Sequence, residues 1–323
     1  MTQKNPSRRQ ALATIAALTA LPAVAQVGEK SVRIVLPNAV SSGVDTISRS
    51  AQAALAKALG YPVVVENQPG AGGIVGVQTI TRAAADGFTL GVVSNNVVIF
   101  PSVYKTLPFD LATDITPIAI IGFTPIVLVV NSKVPAKDSK EFVALLKSKP
   151  GLINYASGGN GTILHLAAAM YLDEAGATAS HVPYKGVGPM LTDLIGGQVE
   201  FATVALPSVQ QHLKSGALRA IGVGAAQRVA AAPEIPTMAE QGMPGYEVEA
   251  WFAVIGPKAL PAAEVKRIHT AVVATFADAG VKEAMAKQGN IINVSSSEVA
   301  QAYFKSEMAK YAKLVKKAGI ELQ

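Results

Sequence analysis

The stretch of this chain that decides its fold is a short apolar run followed by a glycine-rich turn, Ile153-Asn154-Tyr155-Ala156-Ser157-Gly158-Gly159-Asn160-Gly161-Thr162. Residues 153–156 predict a β-strand, and the apolar spacing after Thr162 predicts a helix to about Ala175. Glycines between a strand and a helix let the backbone turn tightly and approach a ligand closely. The stretch therefore indicates one strand–turn–helix unit of an α/β protein.

Strand and helix patterns alternate along most of the chain, which is typical of an α/β fold built on a parallel sheet. The helical patterns that close the chain need a partner, whereas the middle segment looks self-sufficient. We therefore predict two lobes, residues 27–124 with 249–323 and residues 125–248. The chain would cross from one lobe to the other near residues 121–126 and return near residues 247–251. These two crossings would form a hinge beside a cleft between the lobes. The apolar stretch 118–130, interrupted by Gly122 and Pro125, predicts two buried strands or one bent strand.

Residues 1–25 have the features of a secretory leader. Lys4, Arg8 and Arg9 precede an apolar run at 11–25, and the run ends in the Ala-Val-Ala pattern that signal peptidase accepts. The run is shorter than the roughly 20 apolar residues that a membrane-spanning helix needs. We predict cleavage after Ala25 and an exported protein. The adjacent arginines fit the twin-arginine route and fit an ordinary general-secretion leader equally well.

The composition excludes several classes of function. The chain has no Cys, so it has no disulfide, no thiolate catalysis and no lipid anchor on a cysteine. Its net charge of +6 includes the three cations of the leader, which leaves a scattered charge of about +3 on the rest. That balance does not indicate a nucleic-acid partner. We expect contact with the membrane only through a protein partner.

Motifs for cofactors and catalysis are missing from the sequence. In the turn at 70–76 (GAGGIVG), Val75 stands where the third glycine of a dinucleotide fingerprint belongs. No glycine loop continues into a Walker sequence, and no G-x-S-x-G elbow occurs. The histidines His165, His181, His212 and His269 lack metal-binding spacing. We predict no cofactor, no metal and no catalytic residue.

Two loops at the ends of predicted strands are candidate ligand sites. The first spans residues 37–43, and the second is the glycine-rich turn quoted above. The amides that open each following helix have no intrahelical partner, and the positive end of the helix dipole faces the same way. Either terminus is suited to a carboxylate or a phosphate. In the alternative interpretation, Ser42 and Thr162 only cap their helices.

The predicted ligand-binding residues belong to these loops or to neighbouring strand ends. They are Asn38, Ser41, Ser42, Gly43, Asn95, Ser157, Gly158, Asn160, Gly161, Thr162, His165 and Tyr184. For His165, one turn into its helix, a position facing the cleft and a packing role are both open. Lys185 either pairs with an anion or is an ordinary surface lysine. Asp45 is expected only to complement the helix dipole.

Strings distributed over the chain beyond the leader resemble the Bug proteins, the substrate-binding receptors of tripartite tricarboxylate transporters. The strings are RIV at 33–35, VVVENQPGAGG at 63–73, DGFTL at 86–90, LPFD at 107–110, NYASGGNGT at 154–162, HVPYKG at 181–186, DLIGGQV at 193–199 and PTMAE at 236–240. The resemblance covers essentially the whole sequence after the leader, and several of the strings are long enough to be specific.

The resemblance implies a type II periplasmic binding-protein fold, with two lobes joined by two hinge strands and a ligand cleft between them. It implies that amides of residues 38–43 and 157–162 hold the carboxylate of a small organic anion, partly through waters. It also implies delivery to a membrane permease made of a large and a small subunit. We expect the receptor to be a monomer.

Two departures from the family pattern bear on the ligand. The family's first loop commonly carries a glycine pair where this chain has Ser41 and Ser42, which predicts a stiffer, more polar loop. Val204 and Ala205 replace a family Asp-Asn pair, which predicts a more apolar pocket floor. Together they favour a carboxylate with an apolar body, such as an aromatic or dicarboxylic acid. The alternatives are an exported α/β enzyme acting on a small acid and a ligand-sensing periplasmic protein.

Overall fold

A computed structural model describes residues 30–320 and residue 322. The predicted leader lies outside this range. The strands are β1 (Val32–Leu36), β2 (Val63–Asn67), β3 (Thr89–Ser94), β4 (Ile115–Asn131), β5 (Asn154–Ser157), β6 (Ser180–Pro183), β7 (Phe201–Ala205), β8 (Leu218–Val223), β9 (Glu249–Pro257) and β10 (Ile291–Ile292).

Ten α-helices connect and flank these strands in the described part of the chain. They are α1 (Gly43–Leu59), α2 (Ile74–Thr81), α3 (Asn96–Val103), α4 (Ser139–Ser148), α5 (Ile163–Ala175), α6 (Val187–Gly196), α7 (Leu206–Lys214), α8 (Ala262–Ala277), α9 (Ala279–Gln288) and α10 (Ser297–Lys317). Short 3-10 turns occur at Ala71–Gly73 and Ala239–Gln241. None of these helices combines the length and the hydropathy that crossing a bilayer requires.

The sheet is mixed: the parallel architecture that the alternating pattern predicted holds within each group of strands but not across the whole sheet. Its order is β2-β1-β3-β9-β4-β7-β5-β6, with β8 and β10 also paired to β4. The pairs β1–β2, β1–β3, β5–β6 and β5–β7 are parallel. Strands β4 and β9 run antiparallel to each other, and each is also antiparallel to a strand of the neighbouring parallel group. The chain traverses the sheet through them in opposite directions, which inverts the local strand direction.

Strand β4 is a single 17-residue strand, which decides between the two alternatives left open for the apolar stretch 118–130. Its first part pairs with β9, and its second part pairs with β7 and β8. The register shifts near Gly122, where the backbone of Ile291 in β10 lies so close that no Cβ would fit. The fold is therefore two-lobed, with β4 and β9 shared between the lobes. The exact boundaries of the lobes remain a prediction.

Two clusters of buried apolar residues form the core, and their members follow from the buried apolar strand runs. One cluster packs β1 and α1 against β9 and α8, and it includes Ile34, Ile47, Phe252 and Ile268. A second, larger cluster surrounds the part of β4 from Ile126 onward and continues into the other lobe through residues such as Val93, Phe100 and Trp251. These strands are buried on both faces, which is why their sequences are continuous apolar runs rather than alternating patterns.

Two helices differ from the sequence-based expectation. The structure contains α3, which the sequence did not predict, because Pro101 lies inside it and its apolar residues do not mark one face. Helix α2 ends at Thr81, whereas the pattern extended to residue 85. Both helices follow strands at the same edge of the sheet and so help to shape the site described next.

Candidate functional site

The carboxyl ends of the parallel strands surround one cavity of about 850 Å³. Loops after β1, β2, β3, β5, β6 and β7 reach it, and β4 and β9 form its floor. Ligands of open α/β sheets bind at such carboxyl ends. The lining is largely backbone and apolar side chains, including Pro37, Pro69, Ile126, Ala205, Ala250 and Phe252.

The loop between β1 and α1 is organised by a buried carboxylate. Asp45 accepts hydrogen bonds from the Ser41 amide at 3.0 Å, from the Asn67 side chain at 3.0 Å and from the Arg49 guanidinium at 2.8 Å. Ser42 caps α1, and its hydroxyl accepts from the Asp45 amide at 3.3 Å. The role expected for Asp45, complementing the helix dipole, is thus extended: its side chain holds the loop in place.

Ser41 adopts a backbone conformation that favours glycine. Its φ is 66°, in the left-handed region, where a Cβ is unfavourable. The family's glycine pair falls at this point of the loop, so the departure noted in the sequence places a strained serine there. The Ser41 carbonyl accepts a hydrogen bond from the Ser208 hydroxyl, on the other lobe, at 3.2 Å.

The glycine-rich turn between β5 and α5 has the geometry that the sequence indicated. Thr162 caps α5: its hydroxyl accepts from the His165 amide at 3.3 Å and donates to the Gly159 carbonyl at 2.8 Å. Gly161 has φ 66°, and a Cβ there would lie 2.6 Å from a methyl group of Val103. Only glycine satisfies both the backbone conformation and this close approach.

A stacked pair of histidines lies behind the glycine-rich turn. The Nδ1 atom of His165 accepts from the Gly161 amide at 3.1 Å, and Nε2 of His181 lies 2.7 Å from the Ser157 hydroxyl. Burial lowers the pKa of His165 to about 3, assisted by the charge that His181 would carry, and burial lowers the pKa of His181 to about 4. Both rings are therefore neutral at neutral pH. His165 has the packing role, because it supports the turn from behind.

Two helix N-termini face the cavity. Gly43 and Val44 open α1, and Ile163 and Leu164 open α5, and all four line the cavity. Among the described residues, the amides of Gly43, Val44 and Leu164 have no hydrogen-bond acceptor. The Ile163 amide donates to Oδ1 of Asn96, on the opposite side of the cavity, at 2.8 Å.

The cavity carries little charge. Among the described residues that line it, Lys185 alone bears a full charge, and its side chain is exposed. The Tyr184 hydroxyl donates to Asp193 at 2.7 Å; desolvation and that carboxylate raise the pKa of Tyr184 to about 12. No group of three or more metal-ligating side chains occurs in residues 30–320 and 322. One cation and several unpaired amides suit an anion of low charge.

The predicted ligand-binding residues divide into two groups in the structure. The lining of the cavity includes Asn38, Ser42, Gly43, Gly158, Asn160, Thr162 and Tyr184. The lining does not include Ser41, Asn95, Ser157, Gly161 and His165. Of these, Asn95 is fully buried and donates to the Tyr311 hydroxyl at 2.7 Å and to the Glu249 carbonyl at 3.1 Å. This second group supports the loops and helices that form the wall.

Several lining residues were not predicted from the sequence. They are Pro69, Gly70, Ala71 and Gly72 after β2, together with Ser94, Asn96, Tyr104, Ser208, Ala250 and Phe252. The turn at 70–73 follows a predicted strand, and its position at the carboxyl end of that strand is the signal that identifies it. Asn96 and Tyr104 flank the unpredicted α3, and Ala250 and Phe252 reach the site only through the return of β9.

Comparison with known proteins gives the family. Residues 47–320 match the sequence model described as the tripartite tricarboxylate transporter family receptor, and the chain belongs to that family. The protein BugT of Bordetella pertussis is 30% identical over 296 residues, which cover 91% of this chain and 91% of BugT. The predicted family resemblance is confirmed.

Solved structures agree with this assignment. The periplasmic binding protein BugD has a TM-score of 0.86 and 32% identity, covering 91% of this chain and 99% of BugD. MatC from Rhodopseudomonas palustris, with bound malate, has a TM-score of 0.83 and 27% identity over 88% of this chain and 98% of MatC. Rpa4515 of R. palustris, with adipate, has a TM-score of 0.87 and 28% identity over 91% and 98% of the two chains. The chain is a solute-binding protein of this class and not an enzyme.

Proposed function

We propose that this receptor captures one small organic anion between its lobes in the periplasm and delivers it to a two-subunit membrane permease. The observation that carries the proposal is the convergence of two helix N-termini, those of α1 and α5, on one cavity. Their unpaired amides and the positive ends of two dipoles are suited to a carboxylate. Charge-assisted hydrogen bonds of this kind contribute about 1.5–3 kcal/mol each.

The body of the cavity supports a ligand with an apolar middle. Ile126, Ala205, Ala250 and Phe252 form the floor, and Ala205 and its neighbour Val204 are the residues that replace the family's Asp-Asn pair. Without an acid or amide at that point, the floor favours methylene or aromatic groups over polar ones. MatC and Rpa4515 were solved with malate and adipate, both dicarboxylates. We therefore favour a dicarboxylic or aromatic acid.

Ligand capture would use the predicted division into residues 27–124 with 249–323 and residues 125–248. At the boundary, Gly224 donates to the Ile126 carbonyl at 2.8 Å and accepts from the Val248 amide at 2.9 Å. These bonds hold the two crossings side by side. A change in backbone dihedrals at the crossings would rotate one lobe against the other.

The first experiment is a thermal-shift screen of the protein lacking residues 1–25 against adipate, malate, benzoate, citrate and aspartate. A ligand at 100 times its Kd raises the free energy of unfolding by about 2.7 kcal/mol, which such a screen detects. We expect a shift with adipate, malate or benzoate. Tight binding of citrate or aspartate alone would contradict the proposed ligand class, and no shift with any carboxylate would contradict the proposed function.

A substitution tests whether the ligand binds at the glycine-rich turn. Thr162→Trp should fill the cavity beside the α5 terminus and abolish the ligand-induced shift while the protein stays folded. Thr178→Trp, at an exposed position just before β6 and outside the cavity lining, is the matched control and should keep the shift. If the shift survives in Thr162→Trp, the turn is only structural.

Delivery is tested separately. Proteoliposomes containing both permease subunits of a tripartite tricarboxylate transporter should take up the labelled ligand only when the loaded receptor is added. Binding without such uptake would leave the receptor as a sensor and would contradict the delivery step.

A further inference from the structure

We propose that Asn96 is a positioning residue that holds the two lobes together across the cavity. Its amide oxygen accepts a hydrogen bond from the Ile163 amide at 2.8 Å, the cross-cavity bond. Asn96 opens α3 directly after β3, in the lobe that contains β1 and β9. Ile163 opens α5 after β5, in the other lobe. The bond therefore joins α3 and α5, two helices that are not consecutive in the chain and that follow strands not adjacent in the sheet.

The cross-cavity bond is strengthened by its donor, the Ile163 amide at the N-terminus of α5. The first amides of a helix have no intrahelical acceptor and carry the positive end of the dipole. Thr162, the cap residue of α5, uses its hydroxyl for the His165 amide, so the Ile163 amide depends on a partner from outside the helix. Asn96 supplies that partner from the other lobe, and separating the lobes leaves the amide to water.

The surrounding contacts show that the approach of the lobes is close on either side of the bond. Val103, at the other end of α3, lies against Gly161. A Cβ added to Gly161 would lie only 2.6 Å from a methyl group of Val103. Along the rim, a Cβ on Gly186 would lie 2.7 Å from the Cβ of Ala39. The Ser208 hydroxyl donates to the Ser41 carbonyl at 3.2 Å. The cross-cavity bond is the shorter of these two hydrogen bonds.

The bond also leaves only part of the α5 terminus for the ligand, because one of its amides is already paired with protein. Asn96 occupies the Ile163 amide, whereas the Leu164 amide has no acceptor among the described residues. The protein itself thus contributes to closure, and the ligand completes it. The effect on affinity depends on the proposed function, but the effect on lobe separation does not.

The distance between the lobes is measured by double electron–electron resonance spectroscopy on the chain lacking residues 1–25. The sequence has no Cys, so Leu152→Cys and Val299→Cys place one spin label on each lobe. Their side chains are 75% and 55% exposed, and the start of α10 is fixed by the 2.8 Å bond from the Ser297 hydroxyl to the Ile118 carbonyl. Distances are recorded with and without saturating adipate.

Two substitutions at one position distinguish the hydrogen bond from a packing effect. Asn96→Ala removes the acceptor, and the ratio of closed to open molecules should fall about 2- to 12-fold, the equivalent of one hydrogen bond. Asn96→Asp keeps an acceptor and adds a negative charge beside a helix N-terminus, so this ratio should equal or exceed that of the unsubstituted protein. An unchanged ratio in Asn96→Ala, or an Asp variant that opens as the Ala variant does, overturns the proposal.

Adipate affinity, measured by calorimetry, gives the second readout. Asn96→Ala should bind adipate about 2- to 12-fold more weakly. Asn96→Asp should bind it more weakly still, although its lobes stay closed, because its charge repels the anion. Tighter binding by Asn96→Ala would mean that Asn96 competes with the ligand and would overturn the proposal. If adipate binds none of the proteins, the proposed ligand fails while the distance measurement still decides the role of Asn96.

The matched controls are Asn154→Ala and Asn154→Asp. Asn154 is half-buried at the start of β5, which is the end of the strand away from the cavity. Its side chain makes no hydrogen bond to a described residue. Both controls should leave the distances and the affinity unchanged. A change in the Asp control equal to that in Asn96→Asp would attribute the effect to net charge and overturn the proposal.

Discussion

The imidazole rings of His165 and His181 stack with 3.8 Å between their centroids and 13° between their planes. Two protonated rings cannot share this arrangement without strong repulsion, and His165 needs an unprotonated Nδ1 to accept from the Gly161 amide. The wall of the cavity therefore depends on the neutral state of two buried histidines.

The first prediction concerns pH. An unfolded histidine binds a proton near pH 6.5, whereas burial keeps His165 and His181 neutral down to about pH 3 and about pH 4. The unfolded chain binds more protons between these limits, so the free energy of unfolding should fall as the pH drops from 6.5 to 4. Urea titrations across this range measure it.

His165→Asn isolates the contribution of that ring. Asn places an oxygen near the position of Nδ1 and cannot be protonated, so the variant should be less stable at neutral pH but should show a shallower pH dependence. His212→Asn, in the last turn of α7, is the control and should retain the slope of the unsubstituted protein. An equal slope in His165→Asn and the unsubstituted protein would contradict the prediction.

The second prediction concerns the approach of the lobes at Gly161. Gly161→Ala adds the cost of a left-handed backbone, about 1–2 kcal/mol, and a methyl group that overlaps Val103 of the other lobe. We expect the adipate-induced rise in Tm to shrink or disappear. Gly60→Ala is matched in conformation, with φ 74°, but its methyl group would meet open space. It should lower the Tm and leave the ligand-induced rise intact; equal behaviour of the two variants would refute the prediction.

The third prediction concerns Lys185. Its cation is exposed, so Lys185→Met should weaken adipate binding only about two- to fivefold at low salt. Because ions screen an exposed charge, the difference from the unsubstituted protein should diminish at high ionic strength. Calorimetry at two salt concentrations measures both effects. Lys214→Met, at the end of α7, should have no effect, and an unchanged affinity in Lys185→Met would show that this lysine is an ordinary surface residue.

The fourth prediction concerns the strained serine in the first loop. Ser41→Gly removes the left-handed penalty at φ 66° and should raise the free energy of unfolding by up to about 1 kcal/mol, whereas Ser41→Ala should not. Ser215→Gly, at φ −77°, should lower it instead. Chemical denaturation measures all three, and a destabilised Ser41→Gly would show that the serine side chain has a role beyond the strain.

Most elements of the fold were predictable because they depend on local periodicity. Helix α5 begins and ends where the pattern predicted, since Thr162 caps one end and Gly176 lies in a left-handed conformation at the other. Helix α3 was not predictable, because Pro101 and a uniformly apolar sequence obscure the helical period. The parallel expectation for the sheet failed at β4 and β9, because strand direction depends on how the chain returns and not on local pattern.

The candidate site was predictable where it lies on loops that follow strands. Asn38, Ser42 and Thr162 were found in this way, and the structure places all three in the lining. Asn95 and His165 were predicted from the same loops, but their side chains point into protein, which only packing decides. The contact of Asn96 with Ile163 joins residues 67 positions apart, and no local pattern records such a pair.

The sequence by itself determined the family, the class of fold and the two loops whose helix termini line the cavity. These properties follow from residue order, because glycine positions, caps and apolar runs act over a few neighbours. The tertiary structure alone decided that β4 and β9 cross the sheet in opposite directions, that two histidines stack behind the glycine-rich turn and that Asn96 bonds to α5 across the cavity. These features depend on contacts between distant residues, which form only when the lobes pack and fix which polar groups must find partners.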